Sequence, residues 1–141
     1  MKFFPKTNVV VPLDFSDESL AALTTALDLV DAPQHIAVVH VLQDLSPLEA
    51  GEVWGVVDPQ TRIATAKEAL VNRLGDKYGP VQIEVLLGDP AAAIASFAQD
   101  QKAQLIVLPS HGRTGISRLL IGSTAERVVR LAHCPVLVLR K

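Results

Sequence analysis

The sequence predicts an α/β fold: a five-stranded parallel sheet with helices on both faces. Three observations carry that prediction. Short β-branched or wholly apolar runs alternate with stretches of helical periodicity, in the order βαβαβαβαβ. The helical stretches open on a capping residue, in two cases followed by proline, and glycine or proline closes several of them. The apolar runs are near-continuous, as expected of strands covered on both faces. Strands that alternate with helices pair in parallel, because each crossover is right-handed and both sheet faces need cover. A single domain over residues 1–141 follows from length, and such a domain buries roughly 68–70% of its unfolded surface.

"NVVVPLDFS" opens the fold. Its valines are stiff at χ1 and suit a pleated sheet. Pro12 cannot donate to a ladder, so pairing should end there and leave Asp14 just past the strand's carboxyl end. Ser16 then caps a helix, with Asp17 and Glu18 against its positive end and Leu20, Leu23, Leu27 and Val30 as its apolar stripe. Ala32-Pro33 stops it, and residues 35–42, "HIAVVHVL", form the second strand.

Residues 43–57 show neither period and read as a long loop carrying Trp54, which could cover a cleft or a dimer face. Asp58-Pro59 begins the next helix, striped by Ile63, Ala66, Leu70 and Leu74 and ended by Gly75, Gly79 and Pro80. Residues 81–87 alternate as a strand. Asp89-Pro90 repeats the start signal, with Ile94, Phe97 and Ala98 on the inner face. "QLIVLP" is the fourth strand. Ile121, Ala125, Val128, Val129 and Ala132 stripe the last helix, and residues 135–140 close the sheet.

A net charge of -2 argues against a nucleic-acid binder, which needs a dense basic face. The single cysteine, Cys134, fits a reducing compartment and, beside an apolar strand, reads as an inert buried thiol. No apolar run reaches the ~20 residues that span a bilayer. "MKFFPKTN" lacks the apolar segment of a secretory signal, so the expected location is cytoplasmic.

In open α/β sheets ligands bind beyond the carboxyl ends of the strands, where the winding reverses. Two loops compete for that place. One carries Asp14, Phe15 and Ser16. The other is "LPSHGRTGISRLLIGST", with three glycines, two arginines and five hydroxyl residues. Gly112 permits positive φ and close approach. Gly122, Ser123 and Thr124 stand where a helix begins, so free amides and the dipole favour an anion, with Arg113 and Arg118 adding charge nearby. Asp14 could accept from ribose hydroxyls or help hold a divalent cation; it could equally be a turn or cap residue. The glycine-rich loop could likewise be only a strand-to-helix connection. It is neither a Walker loop nor G-x-G-x-x-G.

The chain resembles the universal stress protein family over essentially its whole length. "VVVPLDFSDES" is similar to that family's opening, and "IVLPSHGRTGISRLLIGSTAERVVRLAHCPVLVLRK" is the more specific match. ATP-binding members carry Gly-x-x-Gly, nine residues, then Gly-Ser or Gly-Thr; here His111-Gly112, nine residues and Gly122-Ser123 fall in register. The resemblance implies the strand order 3-2-1-4-5, so that the first and fourth strands adjoin and the two loops share one cleft. It implies ATP or AMP, with Mg²⁺, and adenine against Val41. Asp14 would lie near ribose or metal, and Gly112, Gly122, Ser123 and Thr124 around the phosphates. Pro12, Leu13, Pro109, Ser110, His111 and Arg113 complete the candidate set. The resemblance further implies a homodimer formed through Val136, Leu137, Val138 and Leu139, otherwise an exposed edge. One position departs from the family pattern: the first glycine of the motif is Pro109, which has no N–H and a fixed φ.

Ser110-His111 invites a hydrolase reading with Asp14 as third member, but neighbouring side chains rarely meet and no nucleophile elbow surrounds Ser110. His35, His40, His111 and His133 show no metal-ligand spacing; His40 reads as a strand-end residue, His133 as a helix-end cap. Three functions remain: a nucleotide-binding regulatory protein acting in stress response, a dimeric interaction module of the same fold that binds no nucleotide, and a slow ATPase or phosphotransferase. No general base is evident beside the phosphate loop, so any turnover should be feeble and the third has the least support.

Overall fold

The sheet grows outward from its most apolar strand. Val9–Pro12 forms β1, and its three valines are fully buried. Ile36–Leu42 (β2) and Gln82–Leu87 (β3) continue on one side, Leu105–Pro109 (β4) and Val136–Leu139 (β5) on the other. All pairings are parallel, in the order β3-β2-β1-β4-β5. The computed structural model describes residues 2–43, 58–111 and 121–140. The predicted loop at 43–57 and its Trp54 lie, but for Gln43, outside the described residues.

Successive strand side chains point to opposite faces, and the core divides accordingly. Val9, Val11, Leu13, Val38 and Val107 pack beneath Ala22 and Leu23 of α1 (Asp17–Leu27) and Leu70 and Leu74 of α2 (Pro59–Leu74). Val10, Val39, Ile106 and Leu108 face Ala91, Ile94 and Ala98 of α3 (Pro90–Asp100) and Ala125 and Val128 of α4 (Ser123–Leu131). Helices cover both faces, as the strand patterns require.

The start signals work as read. Ser16 accepts from the Ser19 amide, Asp58 from Gln60 and Thr61, and Asp89 from Ala92, with Pro59 and Pro90 in the first turns. The Thr61 amide, followed by its hydroxyl, holds the exposed Asp58 carboxyl below the ordinary Asp range.

Several boundaries differ from expectation. The first helix ends at Leu27, so Val30 is not part of its stripe; the Lys6 amide donates to the Leu29 carbonyl and Lys6 bridges Val30, which draws the chain out of the helix. His35 belongs to a single 3-10 turn, Pro33–His35, rather than to β2, and its Nδ1 donates to Asp31 at 2.6 Å. Ile121 precedes α4 and Val129 faces out at 49% exposure, so the buried stripe of α4 is only Ala125 and Val128.

Candidate functional site

β1 and β4 are neighbours in space, and the winding reverses between them. Their paired residues are Val9 with Leu105 and Val10 with Ile106, although β1 continues to Pro12 and β4 to Pro109. Two prolines account for the short pairing. Ile106 and Ser110 donate their amides to Pro135 and Leu139, so the even positions of β4 face β5 and position 109 faces β1. Leu13 donates to Val39, so the odd positions of β1 face β2 and position 12 faces β4. Neither proline has an N–H. The seam therefore lacks ladder donors from both sides at its carboxyl end.

Pro12, Val41 and Ser110 lie on the α3/α4 face of the sheet, following Val10, Val39 and Leu108 by two residues each. Leu13 belongs to the opposite layer, where its side chain is 2% exposed. Only its backbone remains at the end of the seam, and that is bonded to Val39 and His40. Pro109 follows Val107 toward the same α1/α2 layer. The predicted residues are thus gathered at one end of the sheet but divided between its faces.

The loop after β1 is tightly folded. Asp14 Oδ1 accepts both the Ser16 amide, at 3.0 Å, and the Ser16 hydroxyl. Buried Ser19 donates its hydroxyl to the Ser16 carbonyl at 2.9 Å and accepts from the Asp14 amide at 3.4 Å. Phe15 sits at φ 67°, a region that side chains other than glycine rarely adopt. Asp14 is therefore a turn residue, the plainer of its two readings, whatever else its carboxylate does.

His40, read from sequence only as a strand-end residue, proves to be a tie to that loop. Its Nδ1 lies 2.7 Å from the Leu13 carbonyl oxygen. A carbonyl only accepts, so Nδ1 carries the hydrogen. The ring also meets Phe15 edge to face, with centroids 4.9 Å apart at 78°. The signal available in the sequence was a polar ring in an otherwise apolar strand.

On the other side of the seam, the Gly122 amide donates to the Ser110 carbonyl at 2.6 Å, seating the start of α4 on the end of β4. A Cβ at Gly122 would stand 2.8 Å from that same oxygen. The glycine is required by the chain's own backbone, not only by an approaching ligand. As N-cap it supplies no side-chain bond, so α4 lacks the side-chain cap that α1, α2 and α3 have. Ser123 and Thr124, in its first turn, are exposed.

Sequence reasoning did not single out Arg127. It donates to Asp89 Oδ1 at 2.8 Å, tying the starts of α3 and α4 together. The Arg127 guanidinium, followed by the Ala92 amide, holds the Asp89 carboxyl below its ordinary range.

Ser110 and His111 do meet, with Oγ 3.2 Å from Nδ1, against the expectation that neighbours would not. Ser110 sits at a strand end, its amide bonded to Leu139 and its carbonyl to Gly122, not on a strained turn between strand and helix. Gly112, Arg113 and Arg118 lie outside the described residues. Among the described residues no three His, Cys, Asp or Glu side chains gather to hold a metal ion, and no helix is long and apolar enough to cross a membrane. A groove of about 340 Å³ between α1 and the end of α2, lined by Leu20, Thr24, Arg73, Lys77 and Tyr78 among others, includes none of the predicted residues.

Residues 6–140 match the universal stress protein family. The chain belongs to that family. It is 38% identical over 140 residues to the universal stress protein MJ0531 of Methanocaldococcus jannaschii, covering 94% of this chain and 81% of that protein. The solved universal stress protein UspA from Lactobacillus plantarum superposes with a TM-score of 0.71 at 30% identity, covering 96% of this chain and 98% of that one. A universal stress protein solved in complex with cAMP superposes with a TM-score of 0.68 at 23% identity, over 96% and 97% of the two chains, which is a likeness of fold. In this universal stress protein the strand order is the one the resemblance implied, and the helices on both faces are those the alternating pattern predicted.

Proposed function

We propose that this universal stress protein binds an adenine nucleotide, ATP or AMP, at the carboxyl ends of β1 and β4 and acts as a cytoplasmic regulator in stress response. The observation that carries the reading is the start of α4. A side-chain-free N-cap is seated on the end of β4, where the carboxyl end of the seam lacks ladder donors and the Asp14 loop follows the neighbouring β1. Helix-start amides and the macrodipole favour a phosphate there. Val41 and Pro12, on the same sheet face, offer an apolar rest for a base. A neighbour solved with cAMP supports an adenine ligand for this fold. Gly112, His111 and Arg113 would complete the phosphate loop, with Asp14 beside the ribose or a Mg²⁺ ion. The ion's part is to neutralise phosphate charge. The homodimer forms through β5.

Calorimetry with AMP, ATP and ATP-Mg²⁺ tests the reading, together with mass spectrometry of ligand released from freshly purified, heat-denatured protein. Binding at or below millimolar ligand is expected. No heat and no released nucleotide would refute it.

A second reading has its own observation. Position 109 faces β1, so the N–H lost to Pro109 is one that would point into the seam. If that donor is indispensable, the chain is a dimeric interaction module without nucleotide. Pro109→Gly separates the two: a large gain in ATP affinity favours the module, an unchanged affinity the nucleotide reading. Hydrolysis at ~1 s⁻¹ or faster, the low end of ordinary enzymes, would contradict both.

A further inference from the structure

We infer that His40 is the positioning residue of the nucleotide crevice, holding the β1–α1 loop in its ligand-ready shape without touching ligand. The inference rests on the nucleotide reading. Phe15 is the observation that calls for such a residue: a bulky side chain at φ 67° persists only where its surroundings impose that conformation. Two contacts from one imidazole impose it. Nδ1–H donates at 2.7 Å to the Leu13 carbonyl, two residues before Phe15, and the ring edge packs on Phe15 itself. Asp14 lies between the two points held, so its carboxylate and the Ser16 turn built on it are fixed relative to Val41, next to His40 on β2. His40 points to the α1/α2 face while Val41 points to the other, which places the support behind the crevice.

The two contacts can be separated by substitution. His40→Asn keeps an N–H near the Nδ1 position and discards the ring. His40→Phe keeps the ring and discards the donor. The donor bond fixes backbone and is the larger effect. AMP affinity should therefore stay within about threefold in His40→Asn and fall tenfold or more in His40→Phe, with the Ser16 amide exchanging faster in the latter. Equal affinity in wild type and His40→Phe, or no rescue by His40→Asn, would overturn the inference. Nitrogen-15 NMR of the unsubstituted protein gives a second arm that needs no variant to fold. The hydrogen of neutral His40 should be on Nδ1, and finding it on Nε2 would also overturn the inference. If wild type binds no AMP, the nucleotide reading falls by itself. The tautomer and the Ser16 exchange rates still decide whether His40 holds the loop.

Discussion

Gly122 shows how a residue can be legible in a sequence for an incomplete reason. Its place before a helix marks it as an anion site's glycine, and the structure adds that a side chain there would strike the Ser110 carbonyl at 2.8 Å. Gly122→Val is therefore a test of folding as much as of binding. Ser123→Asp is cleaner, because Ser123 is exposed in the first turn of α4. An acid there favours the helix dipole but repels an anion. Thermal stability should hold or rise while AMP affinity drops at least tenfold; calorimetry and melting curves read the two effects separately. Ser16, Asp58 and Asp89 were legible as caps because the capping bond is local in sequence. His40 was not, since its partners Leu13 and Phe15 are more than twenty residues away along the chain. Burial raises the Cys134 thiol above the ordinary range, which favours the unreactive thiol over the thiolate. Its alkylation should follow a pH curve displaced to higher pH than that of free cysteine, a shift that iodoacetamide kinetics would show.

Among the elements, α1, α2 and α3 announced themselves by caps and stripes, whereas α4 exposed more of its apolar stripe than expected. The difference is physical: α4 packs through Ala125 and Val128, and its other anchors are polar, the Gly122 amide on Ser110 and Arg127 on Asp89. Such anchors leave no period in a sequence. Asp89→Asn keeps a cap but removes the charge. The Asp89 carboxyl titrates lower in the fold than its ordinary 3.8, so its stabilising effect is present above that value and disappears as pH falls through the lowered one. The wild-type advantage in melting temperature over Asp89→Asn should thus be seen at neutral pH, shrink below about pH 4, and weaken in high salt because the pair is exposed. Leu70→Ala, by contrast, empties a fully buried position on the inner face of α2 and should cost ~2–5 kcal/mol in urea unfolding.

At the scale of the whole molecule, alternation of strands and helices was enough for the fold class, since parallel pairing and right-handed crossovers leave few arrangements. The order 3-2-1-4-5 came from the family resemblance, and composition alone would not have supplied it. The opening of the β1–β4 seam needed both. Pro12 and Pro109 are visible in the sequence, but only the register shows that their missing amides face each other's strand. The same register shows how to test the proposed dimer. Odd positions of β5 bond to β4, so the amide of Val138 points outward. Val138→Pro should remove an edge donor while leaving the β4 ladder intact, and sedimentation should report a monomer that melts cooperatively. An unchanged dimer would move the interface elsewhere.

The crevice itself is tested most directly by titrating nitrogen-15-labelled protein with AMP and following the backbone amides. The account predicts saturable shifts concentrated at Asp14–Ser16, Val41, Ser110 and Ser123–Thr124. No shifts at millimolar AMP, or shifts confined to the groove beside Arg73 and Lys77, would contradict it.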